Sequence, residues 1–298
     1  MRARLRLIAV ALVLAASAAS GVHAAERIII SGASGQLGGA TVEALLARGV
    51  PARNLILVSR TPEKLAKYAQ LGASVRFGDF SKPESLPAAY AGGTRMLLVS
   101  ISGGAGPRPA AHKRAIDAAI AAGVKFIAYT SWLAISQGET SGIAADHVQT
   151  EDILRKSGVA WAMLRNSVYM DQILGQAAKM AADGRVVVPA QDSRMSYVTR
   201  ADCAAAAAAV LTTPGHDNQV YDITGPELIG PRELAAAVSA VTGKPVEVVS
   251  ADASAAAPRG FTGLGVTSDA VARLTGKPAT SVRTFLEAHK DKLLPPSG

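Results

Sequence analysis

The sequence predicts an α/β fold: a doubly wound parallel sheet carrying a smaller C-terminal α+β substrate lobe. Three observations predict it. From Arg27 onward, short β-type runs alternate with amphipathic helical stretches, the pattern of a parallel sheet with helices on both faces. A glycine-rich turn, Gly32-Ala33-Ser34-Gly35-Gln36-Leu37-Gly38, joins the first run to the first helical stretch. The chain has 298 residues, 49% of them apolar and 18% charged, enough for one large domain or two modest ones and too apolar for intrinsic disorder.

Taken in order, residues 1–24 read as a secretory signal peptide. Arg2, Arg4 and Arg6 form a positive start, Leu7 to Ala16 is unbroken apolar sequence, and Val22-His23-Ala24 supplies the small residues that signal peptidase needs. The apolar run is shorter than the about 20 residues that span a bilayer, so no stable membrane span is expected after cleavage. This predicts Sec-type export to a periplasmic or secreted location. The alternative is a cytoplasmic or N-terminally anchored chain.

The strand candidates that follow are Arg27–Ser31, Leu55–Ser59, Ser74–Phe77, Met96–Ser100, Phe126–Thr130 and Ala160–Leu164. Helical stretches lie between them at Leu37–Arg48, Pro62–Ala69, Pro83–Tyr90, Ala110–Ala122 and Ala145–Lys156. Thr61-Pro62 marks a helix start, with proline at the first helical position. After Arg165 the rhythm changes. Short strands at Val186–Val188, Val220–Ile223 and Val246–Val249 mix with alanine-rich helices at Ala201–Leu211 and Glu233–Val241. We therefore expect a nucleotide-binding domain over residues 25–165 and a substrate lobe over 166–298.

Composition excludes several classes. One cysteine leaves no disulfide framework or cysteine metal site, and Cys203 reads as a small core residue. The five histidines are scattered, so no metal is expected. Without the three leader arginines, 28 basic residues oppose 23 acidic ones. They are dispersed and only 4% of the chain is aromatic, which argues against a nucleic-acid partner.

The glycine turn carries the chemistry. Gly32 permits the tight turn, Gly35 lets backbone approach a pyrophosphate, and Gly38 lets the helix pack closely on the strand. Backbone N–H groups and the positive end of the helix then face the phosphates, as in Rossmann-like folds. At the end of the second strand, where an acid would bind the ribose of NAD, the residues are Val58-Ser59-Arg60. Arg60 offers a planar cation to a 2′-phosphate, so NADP(H) is preferred over NAD(H).

The glycine turn, Val58-Ser59-Arg60-Thr61-Pro62-Glu63-Lys64 and the stretch from Ala122 to Ser131 resemble the NmrA-like atypical short-chain dehydrogenase/reductases. Asp146-His147-Val148-Gln149-Thr150-Glu151, Leu164-Arg165-Asn166, Thr199-Arg200-Ala201-Asp202 and Gly243-Lys244 extend the match. Within that group the sequence is most similar to the type 2 NAD(P)H:quinone oxidoreductases, from about Arg27 to Leu294. The resemblance implies that Gly32, Ser34, Gly35, Gln36 and Leu37 hold the pyrophosphate and Arg60 the 2′-phosphate. It implies Asp79 and Phe80 at the adenine, and Ser100, Ile101 and Ser102 along the ribose and nicotinamide. Asn166, Gln172 and Tyr197 would belong to the pocket where nicotinamide meets substrate, with Tyr169 as an aromatic wall. Trp132, just past Tyr129-Thr130-Ser131, is placed to touch a ligand or to pack in the core.

Two departures matter. The tyrosine and lysine that ordinary short-chain reductases space four residues apart correspond here to His147 and Glu151. His147 is therefore a candidate proton source or hydrogen-bond donor to cofactor or substrate, or else a helix-surface histidine with a structural partner. The segment between Ser250 and Thr275 is shorter than in quinone-reductase relatives, which predicts a more open pocket. The function expected is an NADPH-dependent oxidoreductase passing hydride to a quinone or similar small electrophile. The alternatives are a non-catalytic NADP-binding sensor of the NmrA-like type, or a reductase of another carbonyl or enone with His147 as acid.

Overall fold

Two-residue alternation in the apolar runs decides which core each strand residue enters. Ile28, Ile30, Leu55, Leu57, Leu97, Phe126 and Ala128 face one core, while Ile29, Ile56, Val58, Met96, Leu98, Ile127 and Tyr129 face the other. Burial on both faces is what a parallel sheet with helical crossovers requires. The computed structural model describes residues 26–101, 103–188, 193–250 and 265–294.

The strands are β1 (Ile28–Ser31), β2 (Leu55–Ser59), β3 (Ser74–Phe77), β4 (Arg95–Leu98), β5 (Phe126–Trp132), β6 (Ala160–Asn166), β7 (Arg185–Val188), β8 (Gln219–Ile223) and β9 (Glu247–Ser250). The helices are α1 (Gln36–Ala47), α2 (Ala66–Gln70), α3 (Leu86–Tyr90), α4 (Arg108–Ala121), α5 (Gly142–Lys156), α6 (Leu174–Asp183), α7 (Arg200–Thr212), α8 (Pro231–Thr242), α9 (Ala270–Thr275) and α10 (Val282–Ala288). Seven strands pair in the order β3-β2-β1-β4-β5-β6-β8, all parallel. The strand order reverses between β1 and β4, the switch point where such sheets bind ligands. Helices α1, α7 and α9 cover one face, and α3, α4 and α5 the other.

The expected doubly wound sheet is present, with one strand more than the six the first half of the sequence supplied. That strand is β8, which pairs with β6 from Ala162↔Gln219 to Asn166↔Ile223. Helix α7 lies against α1 and fills the first core with Cys203, Ala204 and Val210. The expected division at Arg165 therefore does not follow a packing boundary: the chain leaves the main sheet, returns through α7 and β8, and leaves again. A separate core does form from α6, α8 and α10, with Met170, Leu234, Val238 and Leu286 buried in it. The parallel pair β7–β9 flanks this core, Val186 and Val248 packing against it.

Strands β5 and β6 each run two residues beyond expectation, which sets Trp132 and Asn166 opposite one another at the carboxyl edge. Strand β4 ends earlier because Ser100 N–H turns away to the Thr130 hydroxyl, 2.8 Å distant. The signal-peptide reading of residues 1–24, and residues 251–264 of the segment expected to be short between Ser250 and Thr275, lie outside the described residues.

Candidate functional site

A cleft of about 300 Å³ opens at the switch point, above the carboxyl ends of β1, β2 and β4. Gly32, Ser34, Gly35, Arg60, Asp79, Phe80, Ser100 and Ile101 line it together. Of the pyrophosphate residues expected from sequence, Gln36 and Leu37 begin α1 directly behind Gly35. Ser102 lies outside the described residues.

The glycine turn is built by close approach. Gly32 has φ +97° and donates to the Val58 carbonyl, as does Ala33, both at 3.0 Å. A Cβ on Gly38 would lie 2.2 Å from the Gly32 carbonyl oxygen, so only glycine lets α1 pack this tightly on its own turn. The first turn of α1 has neither an acidic residue nor a side-chain cap. Its leading N–H groups and positive dipole end are thus left for an anion. Beside it the Ser34 and Ser59 hydroxyls meet at 2.6 Å, and Thr61 N–H donates to Ser59 at 2.9 Å.

The walls of the cleft follow β3 and β4. Burial opposes the charge on Asp79, but Ser81, through its N–H and hydroxyl, and then Arg60 and Lys82 hold the carboxyl below the usual range. Gly78 is required where β3 ends, since a Cβ there would lie 2.5 Å from Val58. Sequence reading missed the loop Gly103-Gly104-Ala105-Gly106 as a wall of the cleft. Its run of glycines after a strand was the available signal.

The residues expected around the substrate gather further along the same edge. Trp132 and Tyr197 pack with Leu133, Val168 and Met195 in a small apolar cluster. Asn166 is buried beside Trp132, and its Oδ1 has no hydrogen-bond partner among the described residues. Its amide donates to the Tyr169 hydroxyl across 3.4 Å. Burial raises the Tyr169 phenol, and the Arg200 guanidinium lies 4.3 Å from its ring centre. Gln172 stands apart on an exposed turn, outside both clusters.

His147 lies outside the cleft lining and is 5% exposed. Tyr129 lies at 2.7 Å from its Nδ1, and Arg108 at 3.4 Å from its Nε2. Arg108 can only donate, so Nε2 accepts and Nδ1–H donates to the tyrosine oxygen. Burial, reinforced by Arg108, pushes its pKa down to about 4. His112 has a parallel arrangement: it accepts from Ile101 N–H at 3.2 Å and contacts Thr150 at 3.0 Å. Burial, with His147 and Arg108, takes it to about 3. Both imidazoles are neutral at pH 7, so His147 holds no acidic imidazolium proton to deliver.

Glu151, one turn further along α5, is also engaged. It accepts from Ser131 at 2.6 Å, from Arg165 at 2.9 and 2.7 Å, and from Arg155 at 2.7 Å. Burial raises its pKa, but the bonds from Arg165 and Ser131 outweigh this and leave it lowered. The chain of bonds continues from Arg165 through Ser136 to Asp222, tying α5 and β6 to β8.

A family model for NAD(P)H binding matches residues 32–214, spanning the glycine turn, the five main-sheet strands β2 to β6 and α7. The chain belongs to this NAD(P)H-binding family. Quinone oxidoreductase 2 of Escherichia coli is 39% identical over 221 residues, covering 74% of this chain and 76% of that protein. The NAD(P)H azoreductase of Xenophilus azovorans is 27% identical over 88% of this chain and 97% of its own. Among solved structures, the E. coli NADPH-dependent quinone oxidoreductase complexed with NADPH superposes with a TM-score of 0.77 at 34% identity, covering 89% and 99%. The Citrobacter triphenylmethane reductase complexed with NADP(H) gives 0.78 at 31%, covering 88% and 99%. The NmrA-like resemblance and the doubly wound fold are borne out. Among the described residues no helix is long and apolar enough to cross a membrane.

Proposed function

We propose that this protein is an NADPH-dependent oxidoreductase acting on quinones or similarly electrophilic planar acceptors. One observation carries the reading: a cleft at the switch point joins an uncapped helix N-terminus, a bed of hydroxyls and Arg60, with no acid at the end of β2. The leading amides of α1, from Gln36 and Leu37, would hold the pyrophosphate, and Ser34 and Ser59 would hydrogen-bond beside it. Arg60 would pair with the 2′-phosphate, which favours NADP(H) over NAD(H). When bound, the reduced dinucleotide supplies a hydride.

The chain's own residues then have mainly to orient. Trp132, Tyr169 and Tyr197 supply aromatic surface for a flat acceptor, and Asn166 offers a buried carbonyl oxygen to a ligand N–H or O–H. A quinone takes hydride readily, and water can protonate the weakly basic oxygen that results, so orientation outweighs acid catalysis. The quinone and dye reductases among the relatives support this choice of acceptor. The test follows loss of reduced-nicotinamide absorbance when the protein meets NADPH and a simple benzoquinone. Turnover well above the enzyme-free rate is expected; tight NADPH binding without turnover would favour a sensor.

For the N-terminus we propose Sec-type export, on the basis of the positive start, apolar run and small-residue cleavage site in residues 1–24. Sequencing the mature N-terminus should find a chain starting near Ala25, and a cytosolic chain beginning at Met1 would reject export.

A further inference from the structure

We propose that Arg114 is a positioning residue for the 2′-phosphate: it latches the loop after β4 onto the turn after β3 and so seats Arg60. The proposal rests on the dinucleotide reading above. Arg114 projects from α4 and is not part of the cleft lining. Its Nε and Nη2 donate to the Phe80 carbonyl at 3.1 and 3.0 Å, and Nη2 also donates to the Ala105 carbonyl at 2.9 Å. Phe80 and Ala105 both line the cleft. They follow strands that β2 and β1 separate in the sheet, so the loop after β4 must reach across the carboxyl edge to meet the Phe80 turn.

The loop cannot hold that course by local preference. Gly103, Gly104 and Gly106 have φ of +140°, +85° and +79°, conformations that an unanchored glycine leaves readily. Its near end is fixed by Thr130 at Ser100 and by His112 at Ile101. Arg114 fixes its far half. There the loop backs onto Arg60, since a Cβ on Gly104 would lie 3.7 Å from Arg60 Nη1. Asp79, on the same turn as Phe80, attracts the Arg60 guanidinium and lines the same cleft. Arg60 is thus near the loop and under the charge of the turn, the two segments that Arg114 joins. A forked guanidinium suits this task because it can satisfy two carbonyls at once, which a lysine ammonium does with poorer geometry.

The experiment measures dissociation constants for NADPH, NADH and 2′,5′-ADP in the unaltered protein, Arg114→Ala and Arg114→Lys, with KM and kcat alongside. Arg114→Ala should weaken NADPH and 2′,5′-ADP about tenfold and NADH about twofold, the scale of a lost charge-assisted contact. KM for NADPH should rise while kcat at saturation stays within about twofold. Arg114→Lys should fall between, and serves as the reporter should Arg114→Ala fail to fold. An unchanged preference for NADPH over NADH in either variant would overturn the proposal, as would equal losses for both dinucleotides. Equal affinity for the two in the unaltered protein would instead reject the 2′-phosphate reading itself, and the latch with it.

Discussion

The carboxyl edge of the sheet treats its polar groups in two ways. At the β1–β4 end the helix amides and the Arg60 guanidinium face a cleft, and the Ser34 and Ser59 hydroxyls lie beside them. On the inner face of α5, where ordinary short-chain reductases keep their tyrosine and lysine, His147 and Glu151 are engaged by Tyr129, Arg108, Ser131, Arg155 and Arg165. One region keeps its hydrogen-bonding capacity for a ligand, and the other has committed it to the fold. The lesson is that one edge of a sheet can leave polar groups facing a cleft while its neighbour ties comparable groups into the fold.

Changing the open region should break binding and spare the fold. Gly35 has φ −78° and caps α1, so Gly35→Asp suits the backbone dihedrals and supplies an N-cap carboxylate. Its Cβ would lie 3.3 Å from the Gly32 carbonyl oxygen, which must shift by a few tenths of an ångström. The same carboxylate would face the pyrophosphate, and NADPH affinity should fall at least about a hundredfold. Titration of reduced-nicotinamide fluorescence reads this directly, with thermal melting as the control for folding.

Changing the engaged region should do the reverse. Glu151→Gln removes one charge from a buried cluster and should destabilise by about 3 kcal/mol, with little change in turnover per folded molecule. Chemical denaturation measures the loss. The sign with pH follows from the lowered carboxyl: the cluster contributes fully above the unfolded carboxylate's pKa. Its contribution disappears as pH falls through the lower folded value, so the difference between wild type and variant should shrink in acid.

A smaller effect sharpens the open side of the comparison. Arg60→Ala should weaken NADPH about tenfold or more while leaving NADH nearly unchanged. Paired dissociation constants give the answer, and matched losses would mean that Arg60 holds something other than the 2′-phosphate.

How much of this was legible depends on the range of the interactions concerned. Local pattern sufficed for the glycine turn and for β2, because sterics and period-two burial are written into neighbouring residues. Arg60 follows from the end of β2, whereas Asp79 and Phe80 came from the family resemblance; all three line one cleft. β8 was visible as a strand, but its pairing with β6 is long-range and put it in the wrong unit. The helices α9 and α10, of 6 and 7 residues, are too short for periodicity to register. The readings of His147 stayed open because spacing in a helix gives its face and not its partners: Tyr129 and Arg108 come from distant parts of the chain. Arg114 gave no signal in the sequence, because its carbonyl partners come from two loops.

The pH dependence of kcat, at saturating NADPH and benzoquinone, tests the division of labour most directly. With His147 neutral above about pH 5, wild type and His147→Ala should give superimposable, flat profiles between about pH 5.5 and 8.5. Stability should differ in the same experiment. The folded pKa lies below the unfolded one, so the contribution of neutral His147 is complete above about pH 6.5 and fades toward about pH 4. A wild-type rate that falls with rising pH, through a titration that His147→Ala abolishes, would contradict the account and return His147 to the chemistry.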